Sequence, residues 1–346
     1  MKLPEFIGLD IGYSSVKMAQ IIFEQGNVPR LMGVGHSEIS KPLNILKDEK
    51  EKKELADRIR TLKETLQIKT NKCVVALPEA MIFSKIIAVP DLPEDQLEKI
   101  IYFEARNHLP IPVEDVNLDH IPIAKKAVDN RTIQQILMIA APKNIINMYL
   151  EIINLAGLEP LALETESLAT ARAMTYKVDM AQGALVVDFG SKNIAVSIIK
   201  GKNVIFSQSI GTGSDALTQA IARDYNIDLR QAEQYKITYG LLQSQLEGKI
   251  AKSLLPVMQI INNELNKIIN FIKINLPDFA PSEMLLVGEG SLLPGLVTFF
   301  NLNLGIPVKL VDPFSILELS DMAKNEMTNF SRPAFTVAIG LALKVE

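Results

Sequence analysis

The sequence predicts an α/β protein of two lobes, each built around a copy of the same three-strand meander. Three observations carry this prediction. The first is an internal repeat: Phe6-Ile7-Gly8-Leu9-Asp10 runs into Ile11-Gly12, and 178 residues later Ala184-Leu185-Val186-Val187-Asp188 runs into Phe189-Gly190. Both read apolar strand, aspartate, apolar residue, glycine. The second lies just downstream of each copy. Strand-like Val16 to Phe23 and Ile194 to Ile199 are followed by Gln25-Gly26-Asn27 and Gly201-Lys202-Asn203, then by strands Arg30 to Val34 and Val204 to Ile210. Glycine and asparagine between β-rich runs are hairpin chemistry, because they tolerate positive φ. The third is size: 346 residues correspond to about two units at roughly 150 residues each.

The remaining elements read in order. Lys47 to Leu66 is an amphipathic helix, with Leu55, Ile59, Leu62 and Leu66 at three- and four-residue spacing. Cys73 to Ala76 and Ile82 to Val89 read as strands. Asp91 is placed to cap a helix with Pro93 and Glu94 in its first turn, running from Asp95 to His108 and stopped by Leu109-Pro110-Ile111-Pro112. Strands Val116 to Ile123 and Thr132 to Ala140 join through Asp129-Asn130, and a helix from Pro142 to Ala156 ends at Gly157. After the second meander come helices at 215–225, 229–239 and 253–275, a buried strand Met284 to Val287, a helix Pro294 to Leu302 and a final helix Pro333 to Leu343. The expected division is 1–89 with 158–182 as the first-lobe subdomain, and 90–157 as an inserted helix–strand–strand–helix module. Residues 183–212 with 277–346 form the second-lobe subdomain, and 213–276 its helical part.

Composition excludes several classes of function. Apolar residues are 48% of the chain, enough for sizeable cores, and 36 basic against 40 acidic side chains show no basic excess for nucleic acid. The lone Cys73 rules out a disulfide framework and fits a reducing compartment. His36, His108 and His120 lack metal-ligand spacing. No signal-peptide h-region and no uncharged run of about 18 apolar residues occurs, so the chain is expected to be soluble and cytoplasmic.

Two aspartate-ended strands facing one interlobe cleft suit a magnesium–phosphate site. Glycine just after a strand lets backbone N–H groups approach phosphate oxygens. Gly12, with Ser14 and Ser15 as hydroxyl donors, forms such a turn, and Lys17 is positioned to reach a phosphate as a point charge. Asp10 and Asp188 would hold Mg2+ through water, since carboxylates repel phosphates directly. Gly288-Glu289-Gly290-Ser291, between strand and helix, offers a third contact. A solvated Lys17 and a plain turn at Gly288 are the simpler readings, and Gly211 to Asp215 reads as a helix N-cap.

These residues, in this order, resemble the actin/Hsp70/hexokinase ATPase superfamily, a duplicated ribonuclease H-like fold. Within it the chain resembles the PilM family of type IV pilus assembly. The resemblance rests on Phe6 to Lys17 and on the segment Phe103 to Asp119, which reads FEARNHLPIPVEDVNLD. The module at 90–157 is similar to the small subdomain shared by PilM and FtsA. The resemblance implies ATP and Mg2+ as cofactors, with Asp10 and Asp188 at the metal, and Gly12, Ser14, Ser15, Lys17, Gly190 and Ser191 around the phosphates. Glu233 and Lys236 match the E-x-x-K helix facing the ribose, and Gly288, Gly290 and Ser291 match the adenosine loop. Glu164 or Glu166 occupies the region that orients an attacking water. An exposed helical pair and surface carboxylates are the respective alternatives. The implied partner is the cytoplasmic N-terminal peptide of PilN, with pilus motor ATPases and self-association as further contacts and a peripheral place at the inner membrane.

Three departures bear on turnover. Tyr13 stands where a small residue is usual and narrows the cradle or stacks. In the second loop Ile194 replaces a hydrogen-bonding Thr, and the interval to the turn glycine is 13 residues (188 to 201) against 16 (10 to 26). Glu289 stands where glycine is common. Together they favour nucleotide binding, with at most slow hydrolysis. Two other functions fit less well. A small-molecule kinase would use Asp10 or Asp188 as base but lacks a recognisable sugar-binding set. An FtsA-like filament needs a basic amphipathic tail, whereas the chain ends Gly340-Leu341-Ala342-Leu343-Lys344-Val345-Glu346.

Overall fold

The computed structural model describes residues 4–24, 28–39, 41–42, 46, 48–128, 131–326 and 331–345. In chain order the elements are β1 (Ile7–Ile11), β2 (Ser15–Phe23), β3 (Pro29–Glu38), α1 (Glu49–Thr65), β4 (Lys72–Leu77), β5 (Phe83–Pro90) and α2 (Glu94–His108). Then come β6 (Val116–Val128), β7 (Arg131–Pro142), α3 (Lys143–Leu155), β8 (Glu159–Thr165), α4 (Glu166–Thr175), β9 (Met180–Phe189), β10 (Ile194–Gly201) and β11 (Asn203–Ile210). The second half continues with α5 (Ser214–Tyr225), α6 (Leu229–Tyr239), α7 (Lys249–Asn275), β12 (Glu283–Val287), α8 (Leu296–Leu304), β13 (Val308–Leu310), β14 (Glu318–Leu319), α9 (Asp321–Glu326) and α10 (Thr336–Ala342).

Two large sheets repeat one plan. The first has strand order β14-β3-β2-β1-β4-β8 and the second β11-β10-β9-β12-β13. In each, an antiparallel meander is extended by two parallel strands on the side of its first strand. The central strands carry unbroken apolar runs, Cys73–Leu77 in β4 and Ala184–Val187 in β9, because both faces are covered. In β9, Leu185 and Val187 enter one core while Ala184 and Val186 enter another. That second core is shared between the lobes: Leu137 and Ile139 of β7 and Ala171, Ala173 and Met174 of α4 pack against β9 to β12.

Four expectations change. The inserted sheet has the order β5-β7-β6, so β5, expected in the first subdomain, pairs along its whole length with β7. Conversely α3 lies outside the module, because its Tyr149, Ile152 and Ile153 share a core with Leu55, Ile59 and Leu62 of α1. The insert is strand–helix–strand–strand rather than helix–strand–strand–helix. The end of the chain returns to the first lobe: β14 pairs with β3, and Ala338, Ile339 and Ala342 of α10 pack on Ala19, Leu31 and Val34. Close approach makes this possible, since a Cβ on Gly8 would lie 2.2 Å from Ala338 O and one on Gly340 would lie 1.8 Å from Ala169 O. Asp91 does not cap α2, whose N-cap is Pro93; the carboxylate pairs instead with Lys125 at 2.7 Å. The turns at 25–27 and 129–130 lie outside the described residues.

Candidate functional site: an interlobe acidic cleft

The ends of the two duplicated meanders meet. Asp10 at the end of β1, Asp188 near the end of β9 and Glu166 at the start of α4 line one small cavity of about 70 Å³, together with Gly12, Tyr13, Ser14, Lys17, Gly190, Ser191, Gly288 and Glu289. The register explains the placement. Asp10 pairs with Lys17 across the β1–β2 hairpin, leaving Lys17 Nζ 4.0 Å from Asp10 Oδ2. Asp188 pairs with Val287 on β12, so the next residue, Gly288, passes directly over the carboxylate. A Cβ there would lie 2.2 Å from Asp188 Oδ1, and φ is +83° at that position, so only glycine fits.

Electrostatics set this cavity apart. Lys17 is the one cationic side chain on its wall among the described residues, against Asp10, Glu166, Asp188 and Glu289. Asp10 is 7% exposed, and burial holds its carboxyl above the usual range despite the opposing pull of Lys17. Burial, reinforced by Asp10, pushes Asp188 up to about 7. Glu166 is raised well above the ordinary glutamate range, first by desolvation and then by Asp10, although the N–H of Glu79 donates to its Oε2 at 2.9 Å. Enclosed carboxylates that disfavour their own charge are short of a cation. Among the described residues no three acidic, His or Cys side chains converge as direct metal ligands. A divalent ion here therefore fits as a hydrated one, the form Mg2+ favours.

A larger chamber of about 570 Å³ adjoins at Ser14, Ser191 and Glu289. Its walls bring together two regions far apart in sequence. Glu233 and Lys236 of α6 form one wall; Lys236 is 6% exposed, bonded to Glu233 at 2.8 Å and to Thr218 Oγ1 at 2.9 Å. Gly290, Leu292 and Leu293 form another, with Ser214 and Asp215 at the start of α5. A side chamber of about 310 Å³ lies beyond Lys17, and there Ser15 Oγ is buried without a hydrogen-bond partner among the described residues. Ser14 and Glu289 line all three spaces.

The structure thus brings Asp10, Gly12, Tyr13, Ser14, Lys17, Glu166, Asp188, Gly190, Ser191, Gly288 and Glu289 into one cavity, and Glu233, Lys236 and Gly290 into the next. Ser15 faces the side chamber instead, and Ser291 is buried, its hydroxyl turned back onto Gly288 O at 2.6 Å. Glu164 is not among the cleft-lining residues. It pairs with Arg172 at 2.8 Å and with Lys344, tying α4 to the end of the chain. Ile194, expected as a missing phosphate donor, points into the second-lobe core. Strand alternation puts Asn193 and Ala195 on the cavity wall in its place. Asn193, Ser214 and Asp215 escaped the motif reading. The signal for the last two was present in Gly211 to Asp215, where the turn both starts α5 and opens onto the chamber: the Ser214 N–H bonds Gly190 O and the Asp215 N–H bonds Ser191 O, each at 2.9 Å.

Comparison with known proteins places this geometry. Over 98% of both chains the fold superposes with a TM-score of 0.84 and 27% identity on a solved PilM–PilN type IV pilus biogenesis complex. MreB5 of Spiroplasma citri bound to ADP superposes at 0.56 over 97% of this chain and 94% of that one, with 15% identity, which makes the fold actin-like. Among curated proteins, FtsA of Enterococcus hirae is 23% identical over 89% of this chain and 78% of its own. FtsA of Streptococcus pneumoniae, also 23% identical, matches over 51% of this chain and 42% of its own, less than half its length. The model of the type IV pilus assembly protein PilM matches residues 8–346, so the chain belongs to the PilM family of type IV pilus assembly proteins.

Proposed function

We propose that this protein is a nucleotide-binding adaptor of the type IV pilus assembly platform, taking ATP with Mg2+ in the interlobe cleft and docking the cytoplasmic N-terminal peptide of a PilN-type membrane protein. The observation that carries the nucleotide reading is the acidic cavity at the junction of the duplicated meanders, opening onto a chamber large enough for a nucleoside. Gly12, Ser14, Lys17, Gly190 and Ser191 contact phosphates in this reading. Gly288, Gly290, Glu233 and Lys236 hold the nucleoside, and Asp10 and Asp188 orient the water shell of the metal. Bound Mg2+ supplies the positive charge that a triphosphate needs beside these carboxylates. Glu166, rather than Glu164, is the carboxylate placed to orient a water. Tyr13 and Glu289 line the same cavity, and in this reading their bulk and charge favour binding over turnover.

Family membership and the likeness to the PilM–PilN complex support the peptide-docking half. Among the described residues no helix is long and apolar enough to cross a membrane; the likeness to the PilM–PilN complex supports membrane association through the partner in this reading. Motor ATPases remain a further proposed contact. The test is a thermal-shift titration with ATP and Mg2+ on wild type, Asp10→Ala and Lys17→Ala, paired with pulldown on a synthetic PilN-type N-terminal peptide. Stabilisation of wild type alone, and peptide capture, are expected. Equal response of all three proteins removes the nucleotide site, and no capture with or without ATP removes the docking role.

A further inference from the structure

Lys236 lines the larger chamber, yet its charge is spent behind the wall. An ammonium has three N–H donors. Those of Lys236 are met by Glu233 Oε2 at 2.8 Å, Thr218 Oγ1 at 2.9 Å and Ser214 O at 3.3 Å. Thr218, on α5, is buried and does not line the chamber. Its hydroxyl accepts from Lys236 and has one proton to give. Thr218 Oγ1 lies 2.6 Å from Glu233 Oε2 but 3.3 Å from Ser214 O, so the proton goes to the carboxylate. Both bonds to Glu233 thus fall on Oε2. The Glu233 side chain is 44% exposed and lines the chamber, and among the described residues no bond falls on Oε1. The same string runs on to the second glycine loop. The Ser214 N–H donates to Gly190 O and the Asp215 N–H to Ser191 O. Gly213 is seated there so closely that a Cβ would lie 2.4 Å from Ser191 O.

A glutamate on a helix surface has several rotamers open to it, and ordering one of them on binding costs affinity. Here the ordering is done in advance by two directed bonds to a single oxygen. We propose that Thr218 is a positioning residue whose hydroxyl sets the Glu233 carboxylate at a fixed place relative to Gly190 and Ser191, so that the chamber selects nucleotides carrying a sugar hydroxyl that donates to Oε1. Lys236 then serves the nucleoside through Glu233 rather than by donating to it. The physical basis of the selection is the cost of an unmet acceptor. A carboxylate oxygen held against a sugar that lacks the hydroxyl loses its water and gains no donor, whereas a mobile one swings back to solvent. The preference therefore depends on Glu233 being held, and the Thr218 hydroxyl holds it from α5, the helix that starts on the second loop.

This inference rests on the nucleotide reading, and the experiment separates the two. Calorimetry in Mg2+ compares ATP, 2′-deoxy-ATP and 3′-deoxy-ATP on wild type, Thr218→Val, Thr218→Ala and Thr218→Ser. Wild type is expected to bind ATP at least about tenfold more tightly than one of the two deoxy analogues. Thr218→Val keeps the side-chain shape without the hydroxyl; it should weaken ATP about tenfold and bring the three nucleotides within about twofold of one another. Thr218→Ala, which only removes atoms, should do the same and answers the question if the valine variant does not fold. Thr218→Ser keeps the hydroxyl and should restore both affinity and preference. A role in packing alone would weaken all three nucleotides equally. That result overturns the positioning role while nucleotide binding stands, as does a wild-type preference retained without the hydroxyl, or a wild type that binds ATP and both analogues alike. Wild type that binds no ATP–Mg2+ removes the nucleotide reading and this inference with it.

Discussion

Asp188 is a residue whose chemistry departs far from its type, and its position explains why. It ends a central strand, faces Asp10, and has Gly288 laid over it, so its charge is poorly solvated and its pKa rises to about 7. A raised carboxyl pKa in the folded state means that the native protein holds a proton the unfolded chain releases near the ordinary value of 3.8. The contribution to stability is therefore fully present below about pH 4 and lost as the pH rises to about 7. Chelator-treated protein should melt at falling temperature across that window, and Asp188→Asn should flatten the dependence. A melting profile of unchanged slope in the variant would assign the effect elsewhere. Glu164 and Glu166 give a second residue-scale comparison. Glu164→Gln should lower the melting temperature by weakening the Arg172 and Lys344 pairs, with ATP–Mg2+ affinity unchanged, whereas Glu166→Gln should change affinity. Asp10, Lys17, Asp188 and the glycine turns were readable in the sequence because the pattern of apolar strand, aspartate and glycine turn recurs at fixed spacing. Asn193 was not, since which of two neighbouring residues faces the cleft depends on the pairing frame of β10.

At the scale of elements, the short helix α10 shows how much small residues decide. Thr336 to Ala342 are buried throughout, and the helix is wedged between β1 and α4 with Gly8 and Gly340 at the contacts. Arg172 adds a bond from Nη1 to Gly340 O at 2.8 Å. Gly340→Val cannot be accommodated by side-chain motion, because the clash is with the Ala169 backbone at 1.8 Å. Overpacking of this kind should cost about 3 kcal/mol or more, read by denaturant unfolding. A cost under about 1 kcal/mol would mean that α10 packs less tightly on α4. The sequence marked this stretch as a helix of small and apolar residues, but not its destination. The duplicated meanders, α1, α5, α6 and the strand before Gly288 were readable because their periodicity or turn chemistry is local. The edge strands β8 and β13 were not, being short and defined by parallel pairing with distant partners. For the same reason the sequence alone puts β5 with the wrong sheet: an apolar run does not say which neighbour it pairs with.

At the scale of the whole molecule, two copies of one sheet plan place their acidic strand ends across a single cleft. Chain crossings at α4 and at the return of β14 and α10 to the first lobe hold those ends together. The insert β5 to β7 joins the second lobe through the Ser84–Ser207 contact, so it is attached to both halves. Its expected role is to form part of the surface offered to the PilN-type peptide. Capture of that peptide should then fall when the insert is displaced, and limited proteolysis with and without peptide would read the protection. In the proposed function the cleft takes a metal-complexed triphosphate rather than a bare anion, because among the described residues one lysine lines it against four carboxylates. Calorimetric titration of ATP into the wild-type protein, in Mg2+ and in EDTA, addresses it most directly. Saturable binding in Mg2+ that weakens at least about tenfold in EDTA is the expected result; equal affinity in the two buffers, or no heat in either, would contradict it.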